Sequence, residues 1–308
     1  MSISWLLLLF APLPLVVLAA AQPTVCKELL RDIRPGRIVH YYLLFIFGFV
    51  CFRSTPEKLL HTDVQTALTA IVYFFCLAYA AVFAIATNNK ADLEIDKITN
   101  TERPLVRGTI ETRPYLRIAV ISLLFSLVLS ALAHPVFLMS IVGISLIYFV
   151  YSCKPFRLKR FVFLAKMLIG INSLLAAEAG FVLAGGKWSE FPVFWLVFIL
   201  VPVSLMANFI DLKDTAGDRA AGIKTLPVLF GDRRARYLIG LFTLIAYGFV
   251  LYYFQSIWIT ILLIFTCFIH VFLLFRQPYH EKPLFLLHNT LFLGLTSLLI
   301  LESVLKNR

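Results

Sequence analysis

Asn88, Asp92 and Asp96 recur at intervals of four in ATNNKADLEIDKITNTERPLV (residues 86–106), just after an apolar run ends. On an α-helix that spacing stacks three oxygen-bearing side chains on one face, over about 12 Å of axis. A second acidic row, Asp211, Asp214 and Asp218, lies in ANFIDLKDTAGDRAAGIKTLPVLFG (residues 207–231) at spacings of three and four. Carboxylates at a helix end are often merely solvated, or neutralised by neighbours such as Lys90 and Lys97, so one row alone decides little. Two rows are harder to leave to water. Facing carboxylates repel unless a cation joins them, and an all-oxygen donor set suits Mg²⁺, which binds through one or two carboxylates plus substrate phosphates. Lys and Arg flank both rows, as a diphosphate bridged by Mg²⁺ requires.

Those rows have to be held in place by elements that live in lipid. Of 308 residues, 60% are hydrophobic and 15% charged, and mean hydropathy is +0.88, which excludes a water-soluble domain. Runs long enough to cross a hydrocarbon core are predicted at 38–52, 66–87, 115–133, 134–151, 161–184, 191–210, 235–254, 256–275 and 283–304. In lipid such runs fold as helices, since unpaired backbone groups are not tolerated there, and they are too long for barrel strands. The expected fold is all-α, a polytopic membrane bundle of about nine transmembrane helices.

Charge sets the orientation. Lys27, Arg31, Arg34 and Arg37 precede the first run, and Lys90, Lys97, Arg103, Arg107, Arg113 and Arg117 follow the second. Lys154, Arg157, Lys159 and Arg160 follow the fourth; Lys213, Arg219, Lys224, Arg233, Arg234 and Arg236 the sixth; Arg276 and Lys282 the eighth. The alternate loops hold only Arg53, Lys58 and Lys187, with Lys306 and Arg308 at the end. Positive loops stay inside, so both acidic rows are expected on the cytoplasmic side, of the cell membrane in a prokaryote. The net charge of +11 is thus a topogenic signal, and nucleic acid is not an expected partner.

Met1–Ala21 is also apolar, and LAAAQ resembles a signal cleavage site, but no positive charge precedes Lys27. The segment reads as an uncleaved extra hydrophobic stretch. Cys26, Cys51, Cys76, Cys153 and Cys267 are odd in number and lack CxxC spacing, so neither a disulfide framework nor a metal site is expected. His40, His61, His134, His270, His280 and His288 show no ligand spacing either. Lys166, Asn172 and Glu178 fall inside one predicted span. Lys166 and Glu178 sit near opposite ends and read as structural, Lys166 as a snorkelling side chain; Asn172 is left open.

At the two rows the sequence resembles the UbiA superfamily of intramembrane prenyltransferases. NNKADLEID matches its NDxxDxxxD motif at Asn88, Asp92 and Asp96, with Asn89 where the motif has aspartate. NTERPLVRG matches a following element at Asn100, Arg103, Pro104 and Gly108, and YSCKPFRLKR resembles a YSxxPxRLKR segment at Tyr151, Ser152, Lys159 and Arg160. The second row fits DxxDxxGDxxxGxxTLPxxxG through Asp211, Asp214, Gly217, Asp218, Gly222, Thr225, Leu226, Pro227 and Gly231. That form is similar to the chlorophyll synthase, homogentisate prenyltransferase and digeranylgeranylglyceryl-phosphate synthase branch. The domains expected are an N-terminal segment at 1–26 and a UbiA-like domain at 27–308.

The resemblance implies a helix bundle with a central cavity and a cytoplasmic cap. It also implies a Mg²⁺ cofactor held by Asn88, Asp92, Asp96, Asp211, Asp214 and Asp218, with Asp92, Asp96, Asp211 and Asp214 central to catalysis. Arg103 and Lys159, with Tyr151, Ser152, Lys154, Lys224 and Arg34, would serve the diphosphate of a prenyl donor such as geranylgeranyl diphosphate, ionised before an unidentified acceptor captures it. Tyr148 and Tyr151 fit either a cation-facing role or an interfacial aromatic belt. A terpene cyclase would use the same metal site, and a cation-coupled transporter is the alternative from another class, although its carboxylates would be expected near mid-helix. Oligomeric state is not legible.

Overall fold

The computed structural model describes residues 3–53, 62–254 and 256–306, with side chains through 301. Lys58, His61 and Arg308 lie outside the described residues, as does the side chain of Lys306. The described chain is helical: α1 Ile3–Phe10, α2 Leu13–Ala21, α3 Pro23–Asp32, α4 Pro35–Phe52, α5 Val64–Ala91, α6 Leu93–Thr99, α7 Pro104–Arg107 and α8 Thr112–Ala133. There follow α9 Pro135–Ser152, α10 Val162–Leu183, α11 Val193–Met206, α12 Thr215–Ala220, α13 Leu226–Phe230, α14 Asp232–Tyr253, α15 Ile257–Phe275 and α16 Glu281–Lys306. Short 3₁₀ turns lie at Leu158–Arg160, Trp188–Glu190 and Ala207–Lys213. Among the described residues ten segments are long and apolar enough to cross a membrane: the nine expected and Ile3–Ala21.

The chain divides into two compact units, residues 1–38 with 61–157, and residues 39–60 with 158–308. In the first, α8 shows what solvent these helices were built for. Ala119, Ser122, Ser126 and Ser130 are buried, whereas Val120, Leu124, Val128 and Leu132 are about half exposed. Small residues inside and large aliphatic ones outside reverse the soluble pattern and suit close helix packing in lipid. Ser126 Oγ donates to the Cys76 carbonyl at 2.7 Å and so joins α8 to α5. Leu29, Val82, Ala86, Ile110, Tyr115 and Ala119 form the core under the first acidic row. The N-terminal helices belong to this unit: Ser4 Oγ lies 2.8 Å from Thr69 Oγ1, and Tyr79 donates to the Ala11 carbonyl at 2.7 Å.

In the second unit, Phe209, Leu212, Leu226, Ala235, Ile239, Leu274 and Leu284 form the core beneath the second row. Arg236 is buried here, held by Asp232 at 2.8 Å and by the Leu274 carbonyl, and Tyr279 donates to the Phe209 carbonyl at 2.6 Å. The sixth run departs from the continuous helix expected. Pro202 sits inside α11, and Asn208 Nδ2 donates to the Ser204 and Leu205 carbonyls at 3.3 and 2.9 Å, so the α-helix gives way to the 3₁₀ turn that carries Asp211. The second row therefore spans a turn and a short helix rather than one helical face.

Candidate active site

The first row is built by a helix that outlasts the membrane. α5 has 28 residues, about 42 Å at 1.5 Å per residue, against a hydrocarbon core of about 30 Å. Backbone bonds Asp92→Asn88 (2.9 Å), Asp96→Asp92 (2.8 Å) and Asn100→Asp96 (2.8 Å) carry the helical ladder through the α5–α6 junction. Asn88, Asp92 and Asp96 thereby stay in phase.

Each has a partner in the same unit. Ser152 donates to Asn88 Oδ1 at 3.0 Å, Arg157 lies 3.4 Å from Asp92, and Arg103 Nη1 lies 2.5 Å from Asp96 Oδ2. Asn100 Nδ2 donates to the other Asp96 oxygen at 3.0 Å. Burial lifts the Asp96 carboxyl to about 6, with Asp92 adding to the rise and Arg103, Asn100 and Arg34 opposing it. Gly108 closes α7 at φ +70°, a conformation that L side chains rarely adopt, one helical turn after the Arg103–Pro104 pair.

The second row is more densely acidic. Lys166 Nζ lies 2.6 Å from Asp211 Oδ1, both side chains nearly buried, while Asp211 Oδ2 is buried with no hydrogen-bond partner among the described residues. Asp214 precedes α12 and lies 3.8 Å from Lys213, which also pairs with Glu281 at 3.0 Å. Asp218 is buried in α12 and its amide donates to the Asp214 carbonyl at 2.9 Å. Burial, then the charges of Asp211 and Asp214, lift the Asp218 carboxyl to about 7 against the pull of Lys159 and Lys166. Gly222, at φ +67°, ends this segment and lets the Ile223 amide turn back to the Asp218 carbonyl at 2.9 Å.

The other expected residues divide by exposure. Arg103 and Arg34 act on the first row and the buried Lys159 on the second, whereas Lys154 and Lys224 are exposed. Tyr148 and Tyr151 are half-buried and Ser152 is fully buried. The structure corrects the reading of Lys166 as a snorkelling side chain: its ammonium is turned inward onto a motif aspartate. Its signal in the sequence was the rarity of an ionisable group inside a span.

In the sequence Arg157 stands only as one of the loop charges after the fourth run. It is the one non-glycine residue at positive φ (+44°) among the described residues, and its guanidinium reaches Asp92. A sterically costly backbone at a residue aimed into an acidic row marks it as part of the site. Asp32 and Tyr115, tied to Asn89, gave no signal, being 57 and 26 residues away from it.

Among the described residues no three His, Cys, Asp or Glu side chains converge to hold a metal by themselves. Among the described histidines, His134 Nδ1 caps α9 at the Val136 amide, and His270 and His288 pack edge to face. None of the five cysteines forms a disulfide.

Residues 42–293 match the UbiA prenyltransferase family. A digeranylgeranylglyceryl phosphate synthase from Natronomonas pharaonis is 30% identical over 228 residues, 71% of this chain and 75% of that protein. A chloroplastic chlorophyll synthase from Oryza sativa subsp. japonica is 28% identical over 201 residues, 63% of this chain and 53% of its own longer one. In fold, the chain is similar to a UbiA homolog from Archaeoglobus fulgidus bound to GPP and Mg²⁺, with TM-score 0.66 at 23% identity over 89% of this chain and 99% of that one. With its multi-pass architecture and both acidic motifs in place, the chain belongs to the UbiA prenyltransferase family.

Proposed function

We propose that this prenyltransferase moves the isoprenoid chain of an allylic prenyl diphosphate onto a lipophilic or aromatic acceptor within the membrane and releases diphosphate. The observation that carries the reading is the state of the two rows. Each is a largely buried set of oxygen donors in which burial raises one carboxyl, Asp96 to about 6 in the first and Asp218 to about 7 in the second, with Arg or Lys against the row. Acids raised so far by burial are sites that a cation completes.

The donor set fits Mg²⁺. Asn88, Asp92 and Asp96 would hold it in one row and Asp211, Asp214 and Asp218 in the other, and the buried, unpartnered Oδ2 of Asp211 is a ligand oxygen without a present use. Mg²⁺ is a cation that takes one or two carboxylates and completes its shell with substrate phosphates, which matches such a row. When bound, Mg²⁺ supplies positive charge to the leaving diphosphate.

The chain's own cations do the rest. Arg103 and Arg157 in the first unit, and Lys159 and Lys166 in the second, neutralise carboxylates now and are placed to donate to phosphate oxygens when those carboxylates turn to the metal. As the C1–O bond breaks, its electron pair leaves with the diphosphate, whose charge these donors stabilise. The acceptor then supplies an electron pair to C1 and gives up its proton, while the apolar helices keep water from the allylic cation. The positive loops support a cytoplasmic placement of both rows.

The relatives' names support a lipid or tetrapyrrole acceptor, two quite different molecules. The discriminating experiment incubates purified protein, Mg²⁺ and geranylgeranyl diphosphate with glycerol-phosphate lipids, a chlorophyllide or quinoid aromatics in turn. Prenylation of one acceptor names the substrate class. A cyclised hydrocarbon formed with no acceptor would instead make the protein a cyclase.

A further inference from the structure

Asn89 lies two helical turns before Asp96 and stands at the centre of a buried network beside the row. Its Nδ2 donates to Asp32 Oδ2 at 2.7 Å and to the Tyr115 hydroxyl at 3.1 Å. Tyr115 in turn donates its own proton to Asp32, and Asn89 Oδ1 accepts from Arg103 Nη1. The same Nη1 donates to Asp96 at 2.5 Å. Asn89, Asp32, Asp96 and Tyr115 are all 9% exposed or less.

The partners settle the amide's orientation. A guanidinium can only donate and a carboxylate can only accept, so the oxygen must face Arg103 and the nitrogen Asp32. Every proton of the triangle is then used: two from the amide, one from the tyrosine. A carboxylate in place of the Asn89 amide would have no proton to give. It would face Asp32 as a second negative charge in a buried site, and Arg103 would be divided between it and Asp96.

We infer that Asp32, at the end of α3, is a positioning residue for Arg103, acting through the amide of Asn89, which links the α3 carboxylate to the guanidinium beside the first acidic row. This rests on the proposed role of Arg103 toward the donor diphosphate. In this chain the carboxylate at that corner of the site comes from α3, and Asn89 in place of the motif's aspartate is the complement that makes it tolerable. The aspartate and the asparagine are one unit, and neither position can be read alone.

The test exchanges the pair. Asn89→Asp, Asp32→Asn and the double variant are compared with wild type for kcat and KM of Mg²⁺-dependent diphosphate release from geranylgeranyl diphosphate. Each is also followed by the thermal shift that Mg²⁺ with inorganic diphosphate produces. Each single change is expected to raise KM by about tenfold or more, with a smaller thermal shift, because a charge-assisted contact to a donor-binding guanidinium is lost or misdirected. The double variant restores one amide against one carboxylate and should return KM to within about threefold of wild type.

A double variant no better than the singles overturns the inference, as does an Asn89→Asp protein with unchanged KM, which decides the matter even where Asp32→Asn does not fold. Equal losses of melting temperature with no change in KM or in the ligand-induced shift would make the network structural only, and would equally overturn it. A wild-type protein that neither binds nor turns over the diphosphate overturns the proposed function and this inference with it; an active wild type indifferent to the exchange overturns this inference alone.

Discussion

The two acidic rows use opposite means to hold carboxylates in a low-dielectric place. The first sits on a continuous helical ladder and is clamped by guanidiniums, Arg103 and Arg157, with Asn88 and Asn89 diluting its charge. The second runs across a 3₁₀ turn into a six-residue helix, carries three aspartates, and is met by ammoniums, Lys166, Lys213 and Lys159. A guanidinium is a planar fork that fixes geometry, whereas an ammonium is a compact charge on a flexible stem. On the proposed function, the first row would serve as the more rigid reference for a substrate phosphate, and the second as the one whose cations rearrange more freely.

The largest effect should fall on the second row. Asp211→Ala leaves Lys166 charged and buried with no carboxylate, which should cost about 3–5 kcal/mol in thermal unfolding. It should also lower diphosphate release by about 10²–10³-fold. Asp96→Ala leaves Arg103 bonded to Asn89, so its stability cost should be nearer 1–3 kcal/mol. Equal losses would erase the distinction between the rows.

A second effect separates fork from point charge. Arg103→Lys cannot serve Asn89, Asp96 and a phosphate with one planar group, and should raise KM for the prenyl diphosphate by about 10–100-fold. Lys159→Arg keeps the charge where geometry matters less, and should change KM by under about fivefold. Steady-state kinetics of the two variants side by side decides it.

Protonation gives the third. The Asp218 carboxyl is raised to about 7, so without metal it carries a proton at lower pH, and cation binding has to expel it. Mg²⁺ affinity should therefore rise by up to about tenfold per pH unit below about 7 and level off above it. Folding stability without metal moves the other way: the protonated acid is the one the fold favours, so this contribution is lost as pH rises through about 7. Titration calorimetry of Mg²⁺ binding between pH 5.5 and 8.5 should show Asp218→Asn shifting the break toward the value near 6 of Asp96. The smallest effects belong to the exposed Lys154 and Lys224. Their Ala variants should retain turnover within about threefold, through weak screened attraction alone.

The helices were legible because lipid demands long apolar runs, and all nine expected spans are present with ends shifted by a few residues. α5 extends to Ala91, past the expected Thr87, because the backbone ladder tolerates Asn88 and Lys90 once the helix has left the apolar layer. The acidic rows were legible as spacing. What was hidden is what long-range packing decides: the Lys166–Asp211 pair across 45 residues, the Asp32–Asn89 bond across 57, and the positive φ of Arg157. Periodicity reports which face of a helix is apolar, and says nothing of which distant proton a buried carboxylate will find.

The central claim is that both rows are needed for metal-dependent ionisation of a prenyl diphosphate. The most direct measurement is diphosphate release from geranylgeranyl diphosphate in detergent, with Mg²⁺ or with chelator, for wild type, Asp92→Ala and Asp214→Ala. The account predicts release by wild type that chelator abolishes and that either substitution reduces by about 10²-fold or more. Release that survives chelation, or that either variant supports at the wild-type rate, would contradict it.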